Sequence, residues 1–300
     1  MRRFKADENF RFIALVLLQT ALWGVGNPLI KIAQRSVTPL WCLALRFILA
    51  SVIFILFAHN KIKEGYDKAA HFSCLVISLC TAGAFLACNL SLIWTSATNA
   101  GFLMSLALVF TPFFAWPLLG QRARGKDLAA IAVVTAGMYF LCGGMLGFGL
   151  GEALALLGSA LTSLAVVLTA KHLKTLGPIT IAAMSTFVSA GFCLAAALLF
   201  EPLPKDIAPE GYAVVVYLAV FCTCIAWSIQ NFALQKLSSA LVSLLFCAEP
   251  LFTLLASRLL LGERLTAGGL AGGILIMAGL VYAARQNEET VEEKEKITII

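Results

Sequence analysis

Long apolar runs, broken by short clusters of charge or turn chemistry, occupy the chain from residue 12 to residue 285. About 20 predominantly apolar residues span the hydrocarbon core of a bilayer as a helix. Ten runs of about that length follow one another: residues 12–34, 38–58, 71–94, 97–119, 127–145, 151–171, 178–199, 212–235, 238–261 and 266–285. The main breaks between them are Val37-Thr38-Pro39, His59 to Lys68, Gly120 to Lys126, a glycine-rich Gly143 to Gly151, Gly177-Pro178, and Glu201 to Gly211. None is long enough to hold a domain. The pattern predicts an all-α integral membrane protein with ten transmembrane helices.

Composition excludes the soluble alternatives. The 300 residues are 60% hydrophobic and 13% charged, against roughly 25% charged in an ordinary soluble domain. Charge gathers at the two ends, in Arg2 to Arg11 and in Glu288 to Lys296. A soluble enzyme, a nucleic-acid binder built on a basic surface and a disordered chain are all ruled out. The net charge of +6 is explained by topology, because cytoplasmic loops are enriched in Lys and Arg. With the N-terminus inside, Arg2, Arg3, Lys5, Arg11, Lys61, Lys63, Lys68, Arg122, Arg124, Lys126, Lys171, Lys174, Lys236, Arg285, Lys294 and Lys296 lie on the inner side. Lys31, Arg35, Lys205, Arg258 and Arg264 lie outside, and Arg46 falls within a span. Both termini are expected in the cytoplasm, and the bacterial inner (plasma) membrane is the expected location. The first apolar run is too long for a cleaved signal peptide and has no small-residue cleavage signature. The nine cysteines all sit in apolar runs and read as small buried hydrophobes. No cofactor or metal is expected.

An internal repeat follows a constant offset of 142 residues. Asn89 matches Asn231, Ser96 matches Ser238, Gly120 matches Gly262, Arg122 matches Arg264, and Ala136-Gly137 matches Ala278-Gly279. Upstream, Thr81, Phe85 and Asn89 stand opposite Thr223, Trp227 and Asn231, at a spacing of four that shares one helix face. Such an offset carries five helices, an odd number, so the second copy enters the membrane from the opposite side. Inverted repeats are a signature of secondary transporters, with the substrate site near mid-membrane between the halves. The expected units are residues 1–147, residues 148–285 and a charged cytoplasmic tail, 286–300. Pro112 and Pro250 depart from the offset by one helical turn, and each frees a backbone carbonyl. This predicts kinks at slightly different depths in the two halves.

The segments "LWGVGNPLIKIA" (22–33), "LRFILA" (45–50), "TSATNAGFLMSLALVFTPFFA" (95–115) and "AEPLFTLLASRLLLGERLTAGGLAGGILIMAGL" (248–280) resemble EamA-type members of the drug/metabolite transporter superfamily. The resemblance covers residues 12–285, and the last segment is its specific part. It implies ten helices as two inverted five-helix repeats, a central cavity, and movement of small metabolites, often outward. The chain departs from that pattern at Gly120-Gln121-Arg122, where the second half has Gly262-Glu263-Arg264. The acidic loop residue is present once only.

Polar residues inside spans are costly, so they are candidates for function. Gln19, Trp23, Asn27, Lys31 and Arg35 recur every four residues along the first span as a slowly drifting stripe. An ammonium, an amide and an indole on one face suit a polar or anionic small molecule, whereas Lys31 and Arg35 can also simply snorkel to the outer interface. Arg46 stays charged within the second span and needs a cavity or a partner. Glu249 is the one acidic residue near the middle of a span. It reads as a structural ion pair with Arg46 or Lys31, as a titratable group coupling transport to protons, or as a residue placed at the membrane interface. Asn89 and Asn231, with Phe85 and Trp227 one turn earlier, are a symmetric pair of cavity-lining candidates, with helix-to-helix hydrogen bonding as the plainer role. Trp94, Asn99 and Gln230 are weaker additions. The substrate-binding candidates are thus Trp23, Asn27, Lys31, Arg46, Phe85, Asn89, Asn99, Trp227, Gln230, Asn231 and Glu249. Gly268, Gly269, Gly272 and Gly273 give overlapping GxxxG spacings suited to tight helix packing. No catalytic triad, HExxH or phosphate loop occurs. The expected function is export or exchange of a small polar or amphipathic metabolite, such as an amino acid, by alternating access. A lipid scramblase or an intramembrane enzyme is the alternative.

Overall fold

The computed structural model describes residues 2–64, 71–95, 103–122, 125–141, 149–173, 175–262 and 267–298, and their side chains between Asn9 and Tyr282 apart from Lys63, Glu64, His71, Leu92 and Leu141. These residues form helices α1 (Arg2–Ala33), α2 (Pro39–Glu64), α3 (His71–Trp94), α4 (Leu103–Leu119), α5 (Gly125–Leu141), α6 (Leu150–His172), α7 (Pro178–Phe200), α8 (Pro209–Leu234), α9 (Ser239–Leu261) and α10 (Ala267–Thr298). Seven of them, α1 to α3 and α6 to α9, contain stretches long and apolar enough to cross a membrane. α4 and the apolar part of α10, Ala267–Tyr282, are shorter. Residues 263–266, including Glu263 and Arg264, lie outside the described residues. The helix of the last expected span runs on through the charged tail to Thr298.

Local chemistry sets the helix ends. Pro178 and Pro209 occupy the first turn of α7 and α8, where a missing N–H costs nothing. α4 and α9 both stop at a glycine in the left-handed region, Gly120 at φ 68° and Gly262 at φ 70°, where a side chain would be strained. The Glu201 carboxylate crosses from the end of α7 to cap α2, accepting from Leu40 N and Trp41 N at 3.1 Å each and from the Thr38 hydroxyl. Glu152 does similar work at the start of α6, accepting from Gly149 N at 2.9 Å and from the Thr95 hydroxyl.

The prolines do not set different kink depths. α4 is interrupted at Leu106 and α9 at Cys247-Ala248, and 13-residue segments, Ala107–Leu119 and Glu249–Leu261, follow. Val109 N and Phe110 N both bond Leu106 O, at 2.8 and 3.2 Å. Leu251 N and Phe252 N both bond Ala248 O, at 3.1 and 3.4 Å. The two interruptions are therefore equivalent under the repeat. Pro250 falls in the first turn after its break, where proline is tolerated, while Pro112 lies one turn further in. The turn places the break, not the proline.

Packing repeats with partners exchanged. A Cβ on Gly137 of α5 would meet Gly272 O and Ile276 N of α10, and one on Gly279 of α10 would meet Val134 of α5. Each contact maps onto the other under the offset, as in a self-complementary two-fold interface. α2 lies along α7, α1 packs on α9 as α6 packs on α4, and Cys247 Sγ lies 4.0 Å from the carbonyl of its own counterpart, Ser105. Large apolar side chains such as Leu18, Leu56, Phe57, Phe113, Leu199 and Leu259 face outward, as a protein solvated by lipid requires.

Candidate functional site

The polar stripe of α1 is graded in exposure. Gln19 is fully buried, Trp23 is half-buried, and Asn27, Lys31 and Arg35 are exposed. Among the described side chains in the first half of the same helix, Phe10, Arg11, Ala14, Leu15 and Leu18 are exposed. At about 100° per residue these lie on the side roughly opposite to Asn27 and Lys31. The helix thus shows a face that is apolar beyond Arg11 in one half and, on its other side, a polar face in the other half. Only the first suits lipid.

Asn27 connects this face to α9. Its Nδ2 donates to Glu249 Oε1 at 2.9 Å and to Thr253 Oγ1 at 3.0 Å. Glu249 begins the second segment of α9, immediately after the break, where a carboxylate also favours the exposed N–H groups of a helix start. Close approach of the helices comes from Gly24, where an added Cβ would stand 2.5 Å from Phe252 Cβ and 2.9 Å from both Glu249 O and Thr253 N. Glu249 forms no contact ion pair with Arg46 among the described residues. The contact-pair reading with Arg46 is therefore corrected: the carboxylate takes its hydrogen bond from an amide.

Arg46 is 4% exposed and satisfied differently. α8 contains a π-helical segment, Val220–Ile225, of the kind frequent at functional sites. The wider turn is closed by Thr223 Oγ1 donating to Leu218 O at 2.9 Å. Arg46 Nε donates to Thr223 Oγ1 at 2.7 Å and Arg46 Nη2 to Cys222 O at 3.1 Å. Trp23 Nε1 donates to the same Cys222 carbonyl at 2.8 Å. The guanidinium lies over the Phe85 ring at 5.1 Å and the Phe47 ring at 5.2 Å, distances at which an aromatic face attracts a cation. Trp227 completes this cluster, 5.5 Å from Phe85 and 5.7 Å from Phe47 between ring centroids. Arg46 and Trp23 together fix the irregular backbone of α8 against α1 and α2.

The remaining candidates separate. Gln230 Oε1 accepts from Gln19 Nε2 at 3.2 Å, below Trp23 on α1. Asn89 Nδ2 bonds Phe85 O of its own helix at 2.8 Å, and Asn231 Nδ2 bonds Pro178 O at the start of α7 at 2.9 Å. These two asparagines, alike in sequence, differ in environment: Asn89 is half-buried and Asn231 buried. Asn99 lies outside the described residues, and Trp94 is exposed at the end of α3. Sequence reasoning missed Thr253, which stands four residues after Glu249 and so shares its face. It also missed the Cys222 carbonyl, for which a sequence carries no signal.

The repeat supplies a comparison. The counterparts of Asn27, Glu249 and Thr253 are Thr169, Ala107 and Thr111, at the crossing of α6 and α4. Thr169 is 3% exposed, and Thr111 Oγ1, fully buried, lies 3.0 Å from Ser163 Oγ and 2.9 Å from Ser243 Oγ. One crossing is ionisable and open; its counterpart is uncharged and closed.

The sequence profile of the EamA-like transporter family matches residues 11–143 and again residues 149–285. The chain belongs to the EamA-like transporter family. Both matches together cover nearly all the described helices, so the family's domain occurs twice. An uncharacterized transporter of Archaeoglobus fulgidus is 26% identical over 286 residues, spanning 95% of this chain and 87% of that protein. A probable amino-acid metabolite efflux pump of Escherichia coli is 29% identical over 296 residues, spanning 89% of this chain and 92% of that protein. A similarly described pump of Salmonella typhimurium is 27% identical over 288 residues, with the same two shares. A solved crystal structure superposes with a TM-score of 0.79 at 19% identity, covering 93% of this chain and 99% of that one, a likeness of fold.

Proposed function

We propose that this EamA-family transporter exports or exchanges small polar or amphipathic metabolites, amino acids among them, by alternating access around the crossing of α1 and α9. In this reading all ten helices cross the plasma membrane as two inverted five-helix repeats, residues 1–147 and 148–285, with both termini and the tail from residue 286 in the cytoplasm. The observation that carries it is the open, ionisable crossing of Asn27 and Glu249 set against its closed counterpart at Thr169 and Thr111. With the N-terminus inside, the open crossing faces outward and the closed one inward, so exchanging the two conformations moves access across the membrane. Trp23, Phe246 (5.3 Å from Trp23 between centroids) and Lys31 surround the polar pair with apolar contact and a rim charge. The distant similarity to pumps described as acting on amino-acid metabolites supports the substrate range.

Glu249 is also the group for proton exchange in this reading, because it holds one hydrogen bond and can trade a proton for a substrate. The test is counterflow in proteoliposomes against a panel of metabolites, with and without a pH gradient. Accumulation of at least one amino acid is expected, driven by the gradient in wild type. Glu249→Gln is expected to exchange solute with no response to pH. Accumulation of no panel member, or an unchanged pH response in Glu249→Gln, counts against the reading.

A further inference from the structure

The hydrogen-bonding groups around the open crossing are unequally engaged. The strongest donors there are committed: both bonds of Asn27 Nδ2 run to α9, Trp23 Nε1 is held by Cys222 O, and Arg46 Nε and Nη2 by Thr223 Oγ1 and Cys222 O. The acceptors are in excess. Glu249 Oε2 and Asn27 Oδ1 accept no bond among the described residues, and Asn27 is exposed. One turn below Trp23, the fully buried Gln19 Oε1 is likewise without a donor. An ionised carboxylate is acceptor-only, and an amide oxygen has two acceptor positions. A ligand that satisfies them brings N–H donors and positive charge. Of the two cations near it, Arg46 is removed from this role by its own partners and by the Phe47 and Phe85 rings that cover it, and Lys31 at the rim is itself engaged.

We infer that the crossing recognises a substrate through a protonated primary amine, seated between Glu249 and Asn27, and that a substrate carboxylate is dispensable for binding. This rests on the transport reading above and narrows its substrate class. An ammonium there forms charge-assisted hydrogen bonds to Glu249 Oε2 and Asn27 Oδ1, while the Trp23 and Phe246 rings offer apolar and cation–π contact to the rest of the molecule. The same carboxylate binds either an ammonium or a proton, so recognition and coupling share one atom pair. The uncharged counterpart, Ala107 with Thr169, has no such capacity, so the charged group lies on one side of the pseudo-two-fold only.

The test uses an amino acid that shows counterflow and compares three unlabelled competitors for its initial rate: the amino acid itself, its methyl ester and its N-acetyl derivative. The ester keeps the ammonium and loses the carboxylate; the N-acetyl form does the reverse. Competition by the ester within about threefold of the parent, with the N-acetyl form at least tenfold weaker, supports the inference. Strong competition by the N-acetyl form, or equal competition by all three, overturns it while leaving amino-acid transport standing. Counterflow confined to another primary amine supports the inference and removes the amino-acid reading. Counterflow confined to solutes lacking an amine, or of no solute, overturns both. Asn27→Asp, which keeps an oxygen acceptor and breaks the bond to Glu249, is expected to retain the preference for ester over N-acetyl derivative; reversal of that preference in a folded variant overturns the inference.

Discussion

Replacing Gly24 with alanine tests the geometry of the crossing with a single methyl group. The added carbon would stand 2.5 Å from Phe252 Cβ and 2.9 Å from two backbone atoms of α9, where ordinary contact is 3.4–4 Å. Backbone cannot swing aside as a flexible side chain does, so α1 and α9 must part by about 1 Å. Asn27 lies three residues along and on nearly the same side, so its 2.9 Å bond to Glu249 lengthens beyond hydrogen-bonding range. An ammonium bridging Glu249 and Asn27 then keeps only one of its two bonds; a hydrogen bond to a charged group contributes about 1.5–3 kcal/mol, so substrate binding is expected to weaken roughly 10- to 100-fold. The assay is the concentration dependence of counterflow in proteoliposomes, with size-exclusion profiles confirming that the protein remains folded. Gly191, where an added Cβ meets nothing within 4 Å, is the control, and Gly191→Ala is expected to match wild type. A folded Gly24→Ala protein with apparent affinity within twofold of wild type refutes the reasoning.

Other changes separate stability from transport. Thr223→Val leaves the buried Arg46 Nε without its acceptor and is expected to cost about 1–3 kcal/mol, read as a lower unfolding midpoint, with Thr223→Ser close to wild type. Glu201→Ala removes the cap shared by Leu40 N and Trp41 N and is expected to cost about 1–2 kcal/mol, lowering the same midpoint while apparent substrate affinity stays unchanged. Thr111→Val deletes the shared hydroxyl of the α4, α6 and α9 contact and leaves Ser163 and Ser243 without their common partner. It is expected to destabilise the closed crossing and raise labelling of a cysteine placed at Thr169 by a thiol reagent from the inner side. Unchanged labelling would argue that the hydroxyls do not hold that side shut.

Helices and repeat were legible because both rest on period and composition. Apolar runs give the helices directly, seven of them long and apolar enough to cross a membrane, and Gly120 and Gly262 mark equivalent stops because the left-handed turn they adopt suits glycine. Glu249 stood out for the same reason that the chain reads as a membrane protein: almost no other acid lies so deep. The partners were not legible. A π-helical turn adds a residue to one turn of α8 without altering the apolar pattern, so neither the Cys222 carbonyl nor its hold on Arg46 and Trp23 can be read from spacing. The prolines misled because a kink was assigned to the residue that cannot donate, whereas the interrupting turns precede both prolines at equivalent positions. Asn89 and Asn231 match in sequence, yet one bonds its own helix and the other a neighbouring one. Repeats preserve position more faithfully than partnership.

The central claim is that substrate occupies the outward-facing crossing of α1 and α9. Its most direct test is substrate protection of Lys31→Cys, at the exposed rim one turn outward of Asn27 and leaving the Asn27–Glu249 pair in place, against a membrane-impermeant thiol reagent added outside, read at residue 31 by mass spectrometry. The account predicts modification from the outer face that slows at least severalfold in the presence of a transported solute, with no protection by an N-acetylated analogue. Modification that proceeds equally with and without that solute, or a residue 31 that no reagent reaches from outside, contradicts it.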